Sequence, residues 1–117
     1  MGFNRSCLHN ASKNRNEYIV DYLIQHGSLI DHRDRNMYTP LHLACCTNNI
    51  HITKALIKNG ANPNARTVFY STPLFLAVSN GETNIVKLLL DENVDVNIKS
   101  SNGLDLCKIS HHSMLLA

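Results

Sequence analysis

Thr39-Pro40-Leu41-His42-Leu43-Ala44 recurs 33 residues later as Thr72-Pro73-Leu74-Phe75-Leu76-Ala77. One period earlier stands a degraded copy, Ser6-Cys7-Leu8-His9-Asn10-Ala11, and one period later a weaker one, Asp105-Leu106-Cys107-Lys108-Ile109-Ser110. The second half of the unit keeps the same phase. Tyr18-Ile19-Val20-Asp21-Tyr22-Leu23-Ile24 aligns with His51-Ile52-Thr53-Lys54-Ala55-Leu56-Ile57, and then with Asn84-Ile85-Val86-Lys87-Leu88-Leu89-Leu90. Three terminators follow in register, beginning at Gly27, Gly60 and Asn93. A fixed period of this length is the signature of stacked supersecondary units.

Each unit reads as two short helices and a turn. Thr39 and Thr72 are suited to cap a first helix, and Pro40 and Pro73 fall at its first position, where no amide donor is needed. Leu41, Leu43 and Ala44 then line one face, the small Ala allowing close helix approach. A second helix carries Ile52, Leu56 and Ile57, or Ile85, Leu88 and Leu89, at helical spacing. Gly27 and Gly60 end that helix in the left-handed conformation, with Asn93 the next best residue for the role. Asn59-Gly60 therefore ends a helix, Asn80-Gly81 joins two, and only Asn102-Gly103 belongs to a hairpin. Segments 33–38, 66–71 and 99–104 are expected to protrude as hairpin-like turns. One unit cannot bury its own apolar faces, so the stack is the folding unit.

These spaced features resemble the ankyrin repeat family, whose unit runs T-P-L-H-L-A-A, then G, then I-V-K-L-L-L and G-A-D-V-N-A. The resemblance implies an all-α solenoid of stacked helix-turn-helix repeats joined by protruding β-hairpin-like loops. It divides one domain, residues 1–117, into repeats 1–33, 34–66 and 67–99 with a half-repeat at 100–117. Met37 and Tyr70 stand where the family has a turn glycine, so each costs about 1 kcal/mol or forces another geometry. His9 and His42 fill the slot whose histidine makes structural hydrogen bonds between repeats.

Composition bounds the function. With 44% hydrophobic and 17% charged residues, the 117-residue chain can support a packed core. A formal charge of +2 is too small to imply nucleic acid. No run approaches the roughly 18 apolar residues of a membrane-spanning helix. The start lacks an apolar signal-peptide core, which points to the cytosol, with access to the nucleus, and to reduced cysteines. Cys7, Cys45, Cys46 and Cys107 form no C-x-x-C pair and read as packing residues or thiols, not zinc ligands. No nucleophile elbow or phosphate-binding glycine loop is present, and His111-His112 lack carboxylates at ligand spacing. The acids Asp31, Asp34, Asp91, Glu92 and Asp95 are expected at solvated loop positions. Catalytic, metal and cofactor sites are therefore not expected. Asn10-Ala11-Ser12 is formally a glycosylation sequence but falls inside a helix. Met1-Gly2-Phe3-Asn4-Arg5-Ser6 matches a myristoylation pattern at Gly2, although Ser6 already has a capping role. Membrane attachment would need Arg5, Lys13 and Arg15 as a second signal.

The resemblance implies a protein-binding module that uses its concave side, made of hairpin tips and first helices. By phase those tips carry Phe3 and Arg5; Arg33, Arg35, Asn36 and Tyr38; Arg66, Val68, Phe69 and Ser71; and Lys99. The helix positions are Lys13 and Asn14, Cys46 and Thr47, and Ser79 and Asn80. Arg33, Arg35, Tyr38, Arg66, Val68 and Phe69 are the candidate contact residues, because Arg and aromatic side chains dominate interface hot spots. The complementary partner is a protein with an acidic, partly apolar surface; nucleic acid is not expected. Three roles fit: an adaptor or inhibitor, a regulator similar to inhibitors of NF-kappaB, or a structural piece of a longer array. Oligomeric state is not legible in the sequence.

Overall fold

The computed structural model describes residues 5–92. The expectations for Gly2, Phe3, Asn93, Asp95, Lys99, Asn102-Gly103, Cys107, His111-His112 and the half-repeat at 100–117 lie outside them. Among the described residues there are six helices and no strand: α1 (Cys7–Lys13), α2 (Glu17–Gln25), α3 (Pro40–Cys46), α4 (Ile50–Lys58), α5 (Pro73–Ser79) and α6 (Thr83–Asp91). Helices α1, α3 and α5 pack in one row, α2, α4 and α6 in a second, and the two helices of each pair pack together across a short turn. The expected all-α solenoid is what the chain forms.

Local chemistry explains each boundary. Ser6, Thr39 and Thr72 are extended N-cap residues whose side chains accept the amides of His9, His42 and Phe75. That satisfies donors a helix start leaves open. The second helices begin on Asn16 and Asn49, whose side chains accept the amides of Ile19 at 3.2 Å and Ile52 at 2.9 Å. Gly60, at φ +96°, ends α4. Around it the amide of Ala61 donates to the Leu56 carbonyl at 2.9 Å and that of Gly60 to Ile57 at 3.1 Å, a double closure of the last turn. The same double closure joins α1 to α2 and α5 to α6, with Arg15 and Gly81 in the left-handed position; between α3 and α4, Asn48 is left-handed and the Asn49 amide donates to the Ala44 carbonyl at 3.3 Å.

The core lies between the rows. Leu8, Leu41 and Leu74 repeat one buried position, Ala11, Ala44 and Ala77 another, and Leu56 and Leu89 a third. Alanine at the second keeps helices close enough for leucines to interlock, and fully burying each leucine is worth roughly 1.5–3 kcal/mol.

Candidate functional site

The hairpin-like turns are built by one side chain each. Asp34 accepts the amides of Asn36 and Tyr38, both at 2.9 Å, while its own amide donates to the Tyr38 carbonyl at 3.0 Å. Thr67, one period on, takes the amides of Phe69 at 3.1 Å and Ser71 at 3.3 Å. These bonds force the fourth residue of each turn to positive φ: Met37 at +66° and Tyr70 at +61°. Of the two outcomes open at these positions, the turn keeps its left-handed geometry with side chains that disfavour it.

Neighbouring turns are then tied together. The Val68 amide donates to the Asn36 carbonyl at 3.0 Å, and Arg33 Nη1 donates to the Arg66 carbonyl at 2.8 Å. Arg5 Nε donates to Asp34 Oδ2 at 3.1 Å. Asp34 is buried, which corrects the expectation that it would sit in solvent; its carboxylate serves three donors instead. Asp31 likewise is a link between repeats, accepting the Asn62 amide at 3.0 Å.

The two histidines form a ladder between repeats. Nδ1 of His42 accepts the Thr39 amide at 3.0 Å, which leaves the proton on Nε2 to donate to the Ser71 carbonyl at 3.0 Å. His9 repeats the arrangement with Ser6 at 3.1 Å and the Tyr38 carbonyl at 2.7 Å. Burial holds His42 neutral, its pKa lowered to about 4, and lowers that of His9 as well. These imidazoles have the structural role expected of them. Phe75 occupies the third rung and has no donor to offer.

The six candidate contact residues therefore separate. Arg35, Arg66, Val68 and Phe69 are exposed at the turn tips. Arg33 is half-buried and holds the next turn, and Tyr38 is half-buried with its ring edge-on to His42 at 5.5 Å. Burial also raises the Tyr38 pKa. Two residues outside the candidate set, Met37 and Tyr70, join the exposed tips; their phase was legible, their contribution to a surface was not. The result is an apolar strip of Met37, Val68, Phe69 and Tyr70 flanked by Arg35 and Arg66.

Reactive groups are scarce beside it. Cys45 is fully buried and Cys46 lies on the surface, and burial is the main influence pushing both thiols up, away from the nucleophilic thiolate. Among the described residues no three His, Cys, Asp or Glu side chains converge as metal ligands. What the arrangement offers is a rigid, partly apolar, partly cationic ridge.

Two family models match the chain: ankyrin repeats in three copies over residues 2–67, and the ankyrin repeat over residues 70–101. The chain belongs to the ankyrin repeat family, whose members are generally protein–protein interaction modules and typically not enzymes. Among curated proteins, none matches it.

Proposed function

We propose that this protein is an adaptor or inhibitor that grips another protein with its hairpin ridge. The observation that carries the reading is the apolar strip of Met37, Val68, Phe69 and Tyr70, exposed on two turns that the Val68–Asn36 backbone bond locks side by side. Two of its four members occupy left-handed positions that glycine would take at less strain. Strain of this kind clusters at binding sites. Arg35 and Arg66 beside the strip favour a partner surface that is acidic as well as apolar, while Arg33 and Tyr38 hold the frame. The proposed setting is the cytosol, with the nucleus as a second location.

The test pairs two double variants in affinity capture and titration calorimetry from the native host. Arg35→Glu with Phe69→Ala reverses a charge and removes an aromatic anchor, both on exposed side chains. Folding stability is expected to change by less than about 0.5 kcal/mol, and binding to weaken by at least about 2 kcal/mol. Lys54→Glu with Lys87→Glu alters the exposed side of α4 and α6 and is expected to leave capture intact. If the second pair abolished capture while the first retained it, the outer helices would be the binding surface.

A further inference from the structure

The repeat supplies its own standard for a covered face. Ile52 in α4 and Ile85 in α6 occupy matching positions and are both 0% exposed. Ile19, the same position in α2, is 38% exposed. Beside it Tyr22 is 50% exposed, where the matching Ala55 and Leu88 are half-buried; Tyr18 and Leu29 are exposed as well, as are their counterparts His51, Asn84 and Asn62 in the covered repeats. Helices α3 and α4 are packed against α1 and α2, whereas among the described residues no helix pair precedes α1 and α2. End repeats of a solenoid ordinarily present a polar outer face, because an apolar one invites association. This end is aromatic and aliphatic.

The backbone at the same end carries the matching polar groups. Asn62 donates its amide to Asp31 of the repeat before it, at 3.0 Å, and Leu29 is the residue one period earlier. The Arg66 carbonyl receives Arg33 Nη1 at 2.8 Å, and the Arg33 carbonyl is its equivalent. We infer that the leading face of α1–α2, centred on Ile19 and Tyr22, is a docking site for one more helix pair of the ankyrin type. That pair would present an apolar trailing side, a carboxylate in the place of Asp31 and a basic side chain in the place of Arg33. The face is continuous with the interface repeated twice within the stack, and a covering pair extends that interface by one period. A second copy of this chain is the poorer occupant, since the residue matching Asp31 two periods on is Asn97.

The probe is a full chain extended ahead of Met1 by a duplicate of its own residues 1–33, with Tyr18→Phe and Tyr22→Phe in the added copy only, which places a second Asp31 and Arg33 in phase at high effective concentration. Tyrosine nitration, read residue by residue, and the melting temperature are the measurements. The original Tyr22 is expected to be modified at least about tenfold more slowly than in the unextended chain, and the melting temperature to rise by several degrees. Ile19→Glu in the original repeat is expected to erase both effects while leaving the unextended chain's melting nearly unchanged. An added repeat that melts on its own without protecting Tyr22 overturns the proposal. So does a stable dimer of the unextended chain, seen in sedimentation equilibrium and dissolved by Ile19→Glu, because the occupant would then be a second copy.

Discussion

Tyr70 and Met37 take unfavourable φ angles of +61° and +66°. A non-glycine side chain in that region costs about 1–2 kcal/mol, part of which glycine returns through the entropy of the unfolded chain. Tyr70→Gly is therefore expected to leave stability unchanged or raise it by up to about 1 kcal/mol, while weakening partner capture. A clear loss in a thermal melt would mean the Tyr70 ring supports the fold. Glu82 is the opposite misfit. It starts α6 where Asn16 and Asn49 start α2 and α4, yet makes no cap hydrogen bond, and its Oε1 is buried without a partner. Asn49 finds a carboxylate acceptor in Glu17 at 3.2 Å, whereas the residue matching Glu17 one period on is Ile50, which has no polar group to offer Glu82. Burial raises the carboxyl from 4.5 to about 7, with Asn80 partly opposing the shift. The unfolded chain ionises this group from pH 4.5 upward and the folded chain only near 7, so its stabilising effect is full below 4.5 and lost as pH rises through 7. His42 runs the other way: neutral above its ordinary 6.5, it withholds its proton until about 4, and stability is lost as pH falls across that interval. The two slopes oppose each other between pH 4.5 and 6.5. Glu82→Gln is expected to stabilise by about 1–3 kcal/mol at pH 8 and by much less at pH 5. Equal gains at both values, in denaturant titrations, would show that charge is not the cause.

At the scale of elements, the helices were legible because their start signals are chemical and local. The side chains of Ser6, Thr39 and Thr72 reach the amide three positions on, and the proline that follows Thr39 and Thr72 fits the first helical position. The turns were half legible. Phase marks Met37 and Tyr70 as positions of a family glycine but leaves open whether the turn stays left-handed there, and the family's glycine after the first helix marks Arg15 and Asn48 in the same way. The burial of Asp34 was not legible, because an acid in a loop looks solvated until the two amides and the arginine that surround it are known. Arg33 and Tyr38 read as free contact residues for the same reason: each is engaged by groups in an adjoining turn or helix, which residue type does not encode. Packing predictions are firmer. Leu56 and Leu89 are fully buried at the same position of α4 and α6. Leu56→Ala and Leu89→Ala are each expected to cost about 2–5 kcal/mol, measured by chemical denaturation. No loss in either would break the assigned phase.

At the scale of the whole molecule, the ridge and the leading face of α1–α2 are separate surfaces, so partner capture and repeat extension can be varied independently. The ridge's charge contribution is screened, and the part of binding due to Arg35 is expected to shrink as salt rises from about 0.01 to 0.1 M, where the Debye length falls from roughly 30 to 10 Å. Binding that is indifferent to salt would leave the apolar strip as the sole anchor. The histidine ladder has a further consequence, for cooperativity. In a linear array stability is a sum of intrinsic repeat terms and nearest-neighbour couplings, and a single sharp transition requires the couplings to dominate. His42 reaches across one such junction, from the cap of α3 to the turn that precedes α5. His42→Leu keeps the apolar volume near that of Leu41 but leaves the Ser71 carbonyl without its donor. Residues 5–38 and 71–92 are then expected to lose protection against hydrogen exchange at different denaturant concentrations, where the unaltered chain loses it in one step. The junction behaves as a domain wall, and a neutral imidazole is among the groups that hold it shut.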